Sequence, residues 1–159
     1  METTSTVGQI SFRDARRGDV MDIVALLADD EIGAGREVTG DAGVEAAYWA
    51  AFDEIESDPR NRLIVAESAG AVIGTLQLTI LPGLSRRGMR RALIEAVRVS
   101  SARRGQGTGR QLITWAVEEA RRAGCGLVQL TSDKRRESAI RFYESLGFEA
   151  SHEGLKLVL

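Results

Sequence analysis

The stretch Arg104-Gly105-Gln106-Gly107-Thr108-Gly109 has the composition of a phosphate cradle. Three glycines at alternate positions leave no side chain where an anion would have to approach the main chain. An amphipathic pattern begins at Gly109, so the turn sits at a helix start, where the first N–H groups lack acceptors and the helix dipole favours negative charge. Neither common nucleotide signature fits. No Gly-Lys-Ser or Gly-Lys-Thr follows, and Arg110 stands where a dinucleotide-binding fingerprint needs its third glycine. The spacing therefore predicts a pyrophosphate site of another kind, with Arg103 and Arg104 close enough to meet the same anion.

The elements around the turn must hold it. Residues 10–13 read as a strand, and Val20, Ile23, Val24 and Leu27 then follow helical spacing with Asp19 as N-cap. After a glycine-rich irregular segment, residues 31–43, a second helix carries Val44, Ala47, Tyr48, Ala51 and Ile55 on one face until Asp58-Pro59 closes it. Residues 63–67 and 72–81 predict a hairpin across Ala69-Gly70, and a strand over residues 92–99 follows a loop with Arg86, Arg87 and Arg90. A helix over residues 109–123 turns Leu112, Ile113, Ala116, Val117 and Ala120 inward, with Gly124 as its C-cap. Residues 127–130 read as a buried strand, residues 137–146 as a helix stopped by Gly147, and residues 148–159 as one or two closing strands.

This order, β α α β β β α β α β, predicts one α/β (α+β) domain over residues 1–159, a mixed sheet with helices on both faces. The strand, glycine turn, helix, strand succession is a crossover unit, so the strands around Val97 and Leu130 should run parallel. Phosphate-binding turns in such units lie beyond the strands' C-terminal ends.

Two further stretches accompany the turn: Leu93-Ile94-Glu95-Ala96-Val97-Arg98-Val99 before it and Ala139-Ile140-Arg141-Phe142-Tyr143-Glu144-Ser145-Leu146-Gly147-Phe148 after it. Together the three resemble the GNAT superfamily of N-acetyltransferases. Arg104, Gly107 and Gly109 match that family's Arg/Gln-x-x-Gly-x-Gly/Ala motif, and the Phe-Tyr-x-x-Leu-Gly-Phe run matches its C-terminal signature. The resemblance covers residues 10–159. It implies a mostly antiparallel sheet whose central parallel pair splays to admit coenzyme A, and an enzyme that transfers acetyl from acetyl-CoA to a primary amine by direct attack. A non-catalytic acyl-CoA sensor is the alternative on the same fold. The segment from Trp115 to His152 is also similar to aminoalkylphosphonate N-acetyltransferases, through Trp-Ala-x-Glu-Glu-Ala-Arg-x-Ala-Gly and a closing Ser-His.

The resemblance also implies a site. Main-chain groups of Val97 and Val99, with Arg98 between them, match the positions that pair with the pantetheine arm. The pyrophosphate would meet Arg103, Arg104, Gly105, Gln106, Gly107, Thr108 and Gly109, and Asp133, Ala139 and Phe142 would border the cofactor. Many members carry asparagine three residues before the alanine, where this chain has Arg136. Tyr143 matches the tyrosine placed beside the departing sulfur as general acid, although its helical spacing with Ala139 and Leu146 also suits a core aromatic.

By period two, Glu95 shares a strand face with Val97 and Val99, pointing where acyl group and amine meet. A protonated amine must lose a proton before it attacks a thioester, and Glu95 could take it directly or through water. An ion pair with a neighbouring arginine is the competing role. Arg86, Arg87, Arg90 and Arg91 are expected beside the acceptor pocket, either as a clamp for an acidic acceptor or for the cofactor's phosphates, or as a solvated loop.

Composition narrows the rest. The chain has 159 residues, 43% hydrophobic, with a net charge of −2, which argues against a general nucleic-acid binder. Cys125 is the single cysteine and His152 the single histidine, so an intrachain disulfide is excluded and no metal site is expected. A Cys125–His152 nucleophile pair is formally available, but Cys125 precedes a buried strand and reads as a small core residue. Residues 1–9 are polar and no apolar run has membrane-spanning length, so a soluble cytoplasmic protein without membrane partners is expected. The long hairpin and the apolar residues 155–159 suggest a homodimer formed by edge pairing. Whether the amine acceptor is a small molecule or a protein has no recognisable code in these residues.

Overall fold

The computed structural model describes residues 8–159; residues 1–7, part of the polar N-terminal stretch, lie outside the described residues. One sheet holds β1 (Ser11–Asp14), β2 (Asn61–Ser68), β3 (Ala71–Leu81), β4 (Arg91–Val99) and β5 (Leu127–Leu130), in that spatial order. All neighbours are antiparallel except β4 and β5, which are parallel as the crossover requires. The helical elements are α1 (Val20–Ala28), α2 (Ala42–Ser57), the single turn α3 (Ser85–Gly88), α4 (Thr108–Arg122) and α5 (Glu137–Ser145).

Strand alternation divides the core into two layers. Ile64, Leu76, Leu78 and Ile94 point to one face and meet Leu112, Ile113, Ala116 and Ala120 of α4, with Phe142, Tyr143 and Leu146 of α5 packed beside them. Positions between them face the other way, where Val20, Val24 and Phe52 of α1 and α2 form a second cluster over Leu63. Helices thus cover both faces, the mixed architecture expected from the element order. The Ala69-Gly70 turn has φ of 50° and 78°, the pair of positive values that a tight two-residue hairpin needs.

Two local readings change. Asp19 occupies the N-cap position of α1 but makes no side-chain cap. Instead its buried carboxylate accepts from Arg13 at 2.7 and 3.1 Å and from the Arg16 N–H at 2.7 Å, because a guanidinium from β1 competes for it more strongly than the helix end does. The predicted closing strands over residues 148–159 are absent. The sheet ends at the half-buried β5, and Leu155, Leu157, Val158 and Leu159 stand exposed. A ladder needs a partner edge, and alternation in sequence cannot supply one. Among the described residues no helix is long and apolar enough to cross a membrane.

Candidate active site

Strand β4 is interrupted on both sides, and the site grows from those interruptions. Toward β3, Glu95 opposes Gln77 and Arg98 opposes Thr75, so Ala96 and Val97 together face the one intervening residue, Leu76. Ala96 takes φ 52°, and this extra residue is a β-bulge. Toward β5, the ladder covers only Arg91–Ile94 against Leu127–Leu130. Beyond Ile94 the ladder stops because β5 ends at Leu130 while β4 runs on to Val99, leaving the main chain of residues 95–99 as an edge that an extended diamide could join.

The bulge corrects the expected placement of Glu95. An inserted residue reverses every later side chain, so Glu95 does not share a face with Val97 and Val99. Val97 packs against the α4-side core, and Val99 lies on that same side, 3.7 Å from where a Cβ on Gly109 would stand. Glu95, exposed, and Arg98 share the opposite face with Gln77 and Thr75, under α1 and α2.

At the glycine turn, Gly105 and Gly107 have φ of 75° and 83°, a region that side chains disfavour. The first bond of α4 runs from the Gln111 N–H to the Gly107 carbonyl at 3.1 Å, which leaves the amides of Thr108, Gly109 and Arg110 without intrahelical acceptors. Gly109 sits where α4, β4 and α5 meet, its would-be Cβ 3.5 Å from Phe142 Cζ.

The neighbouring polar side chains are already engaged. Arg103 reaches the Ser68 hydroxyl at 3.3 Å, Gln106 donates to the Ala102 carbonyl at 3.2 Å, and Arg104 donates to the carbonyls of Val99, at 3.3 Å, and Asp29. The Asp29 carboxylate accepts the Ser101 N–H at 2.9 Å, which holds it below the usual carboxylate range and ties the turn to the end of α1. The turn's open main-chain amides are therefore its unengaged anion-binding groups.

Helix α5 sets Tyr143 between Phe142 and Phe148, ring centroids 5.2 and 5.8 Å away and edge-on. Burial pushes its phenol up, while the charges of Arg98 and Arg136 pull the other way. A phenol kept neutral in this manner is a proton donor.

Arg98 and Arg136 belong to an ion cluster that sequence reasoning missed. Arg136 donates to Asp30 at 2.7 Å, linking the start of α5 to the segment after α1. Arg98 Nε lies 3.4 Å from the same carboxylate without the alignment of a hydrogen bond, and its terminal nitrogen donates to the Val97 carbonyl at 2.8 Å. Burial raises the Asp30 pKa, but Arg136, the Gly33 N–H and Arg98 outweigh it and hold the carboxyl at about 2, against an ordinary 3.8. A depressed carboxyl stabilises the fold above its unfolded pKa and loses that contribution as pH falls through its folded value. Asp30→Asn should therefore be less stable than the parent near neutral pH, with the gap shrinking from about pH 4 downward as the parent's carboxylate is titrated. Thermal midpoints across that range check it; a gap independent of pH would mean that packing, not charge, is lost.

The remaining candidates separate. Asp133 is clamped by Arg135 through its side chain at 2.9 and 2.7 Å and its N–H at 3.0 Å, which keeps its carboxyl well below the usual range. Ala139 lies in the first turn of α5, its N–H bonded to the Arg136 carbonyl at 3.0 Å. Arg86 and Arg87, with φ of 54° and 60°, wind α3 left-handed ahead of β4, and Arg90 caps the C-terminal end of α4 through the Ala123 carbonyl at 2.9 Å. Together with Arg91, which donates to Gln129 at 3.3 Å, they lie before the bulge. None of the four lines the cavity of about 140 Å³ that borders Ala96 between α1, α2 and the sheet. Cys125 packs on the core with its thiol pushed up by burial, whereas His152 lies on the exposed tail beside Ser151 at 2.7 Å. Among the described residues no group of three or more His, Cys, Asp or Glu side chains could hold a metal.

Residues 21–148 match the acetyltransferase (GNAT) family. The chain is 30% identical over 149 residues to a glucosamine 6-phosphate N-acetyltransferase of Trypanosoma brucei brucei, covering 89% of this chain and 99% of that protein. It is 37% identical over 95 residues to the aminoalkylphosphonate N-acetyltransferase of Salmonella typhimurium, a match spanning 60% of this chain and only 61% of that protein. Among solved structures, one described as a transcriptional regulator from Bacillus halodurans C-125 superimposes with a TM-score of 0.90 at 48% identity, over 95% of this chain and 100% of that one. A family match over most of the sequence, together with a relative aligned over nearly its whole length, carries the conclusion that the chain belongs to the acetyltransferase (GNAT) family.

Proposed function

We propose that the protein transfers an acetyl group from acetyl-CoA to a primary amine. The observation that carries this reading is that β4 runs on past the end of β5 and leads to the N-terminus of α4, which offers an unpaired strand edge and unpaired amides. Acetyl-CoA supplies the thioester. In this reading the main chain at Val97 and Val99 holds the pantetheine arm, the amides from Gly105 to Gly109 hold the pyrophosphate, and Ala139 and Phe142 wall the groove. The carbonyls of Val97 and Val99 presently accept from Arg98 and Arg104, so those guanidinium groups share or yield them when the arm enters. The amine nitrogen bonds to the acetyl carbon as the carbon–sulfur bond breaks. Glu95 takes the amine's proton through water, and Tyr143 gives a proton to the departing thiolate. The exposed apolar tail at residues 155–159 supports pairing of two copies through it, which a light-scattering mass of twice the chain's would register and a monomer mass would refute.

The test combines binding and turnover. Acetyl-CoA should raise the melting temperature well beyond ATP or NAD, and release of free thiol should depend on added amine. Gly107→Asp puts a carboxylate into the phosphate's space and should weaken CoA binding at least tenfold with circular dichroism unchanged. Undiminished affinity in the folded variant would remove the turn from the site. A module that binds acyl-CoA without turnover is the alternative on the same fold. CoA binding with no thiol release across a broad amine panel would select it.

A further inference from the structure

The cavity beside the bulge has a chemistry unlike the acceptors named for the two curated relatives. It holds about 140 Å³ and is walled by apolar side chains of α1 and α2, among them Val24, Phe52 and Ile55. Three lining residues carry polar side-chain atoms, and each is already bonded: Thr75 donates to the Ile64 carbonyl at 2.8 Å, Gln77 to Asn61 at 2.9 Å, and Tyr48 to Glu37 at 2.6 Å. No arginine or lysine lines it. A phosphate or phosphonate placed there would lose its hydration without a cation in the lining to replace it. Two alanines in the lining, Ala51 on α2 and Ala96 in the bulge, are exposed, so the cavity opens to solvent beside Glu95 instead of being sealed in the core.

We infer that this cavity receives the body of the acceptor, and that the acceptor is a primary amine bearing an apolar group of single-ring or branched four-to-five-carbon size. The inference rests on the acetyl-transfer reading above. Dimensions fix the size, since an apolar cavity of about 150 Å³ holds one benzene. Position fixes the amine, because the cavity borders the bulge residue Ala96, and the preceding residue, Glu95, opposes the lining residue Gln77 in the β3–β4 register. An apolar group inside the cavity leaves a short-tethered nitrogen at the mouth.

The experiment measures thiol release from acetyl-CoA with ethylamine, propylamine, isobutylamine, isoamylamine and benzylamine, beside glucosamine 6-phosphate and aminomethylphosphonate. Across the apolar series kcat/KM should climb about tenfold per added carbon until the cavity is full, and the two anionic amines should fall at least tenfold below isoamylamine. Ala51→Phe puts a ring at the opening and should remove the advantage of benzylamine over ethylamine with CoA binding unchanged. Ile55→Ala enlarges the space and should shift the optimum to a bulkier amine, an independent check should the first variant misfold. A flat series, or an anionic amine as the best acceptor, overturns the inference and leaves acetyl transfer standing. Saturation-transfer NMR of benzylamine on the CoA-bound protein separates the remaining outcomes. Ring signal with the parent, lost in Ala51→Phe, supports the apolar cavity even without turnover, in which case the acetyl-transfer reading is what fails; no signal and no turnover overturns both.

Discussion

Tyr143→Phe should slow acetyl transfer by about 10² to 10⁴ while leaving the fold and CoA affinity nearly unchanged, because only the hydroxyl is removed. The ring keeps its edge-on contacts with Phe142 and Phe148, which do not involve the oxygen. What disappears is a proton donor that burial keeps neutral, at a position where the Arg98 and Arg136 charges reach it. The decisive measurement compares two thioesters whose thiols differ in acidity. A thiol that leaves readily as thiolate needs little help, so the variant should be impaired most with the poorer leaving group. Equal slowing of both, with CoA affinity falling in step, would make Tyr143 a packing residue and would send the search for the acid elsewhere.

For Glu95→Gln the expected loss is again about 10² to 10⁴ near neutral pH, but with a different signature. The substitution keeps size and removes the proton acceptor on the face that borders the cavity. As pH rises, more of the amine is already deprotonated and needs no base, so the rate should recover in part on the alkaline side. The side chain is exposed, so the substitution should change the melting temperature little. A pH–rate profile superimposable on the parent's would show that Glu95 takes no proton and that solvent or another group does.

These expectations draw on different levels of the molecule. The glycine turn was readable because its requirement is local: Gly105 and Gly107 must adopt positive φ, and the amphipathic pattern that follows must be a helix. The parallel pairing of β4 with β5 followed from the crossover rule, and the helices on both faces followed from the order of elements. The face of Glu95 was misread for an equally physical reason. Period-two counting holds only while each residue opposes one partner, and the bulge at Ala96 is a property of the β3–β4 pair, not of β4's own sequence.

The ion cluster of Asp30, Arg98 and Arg136 joins three segments far apart in the chain, so no spacing announced it. Residues 155–159 show the converse: their apolar pattern suits a strand, yet the single chain gives them no edge to pair with. The sequence by itself thus determined the helices and strands up to residue 146, where the main chain must bend through glycine, and which family's motifs are present, since each depends on neighbours within a few residues. Only the tertiary structure decided which face Glu95 occupies, which arginines are already held by carbonyls and carboxylates, and that an apolar cavity opens beside the bulge. Those properties arise from register and from contacts between distant segments, which exist only once the chain has folded.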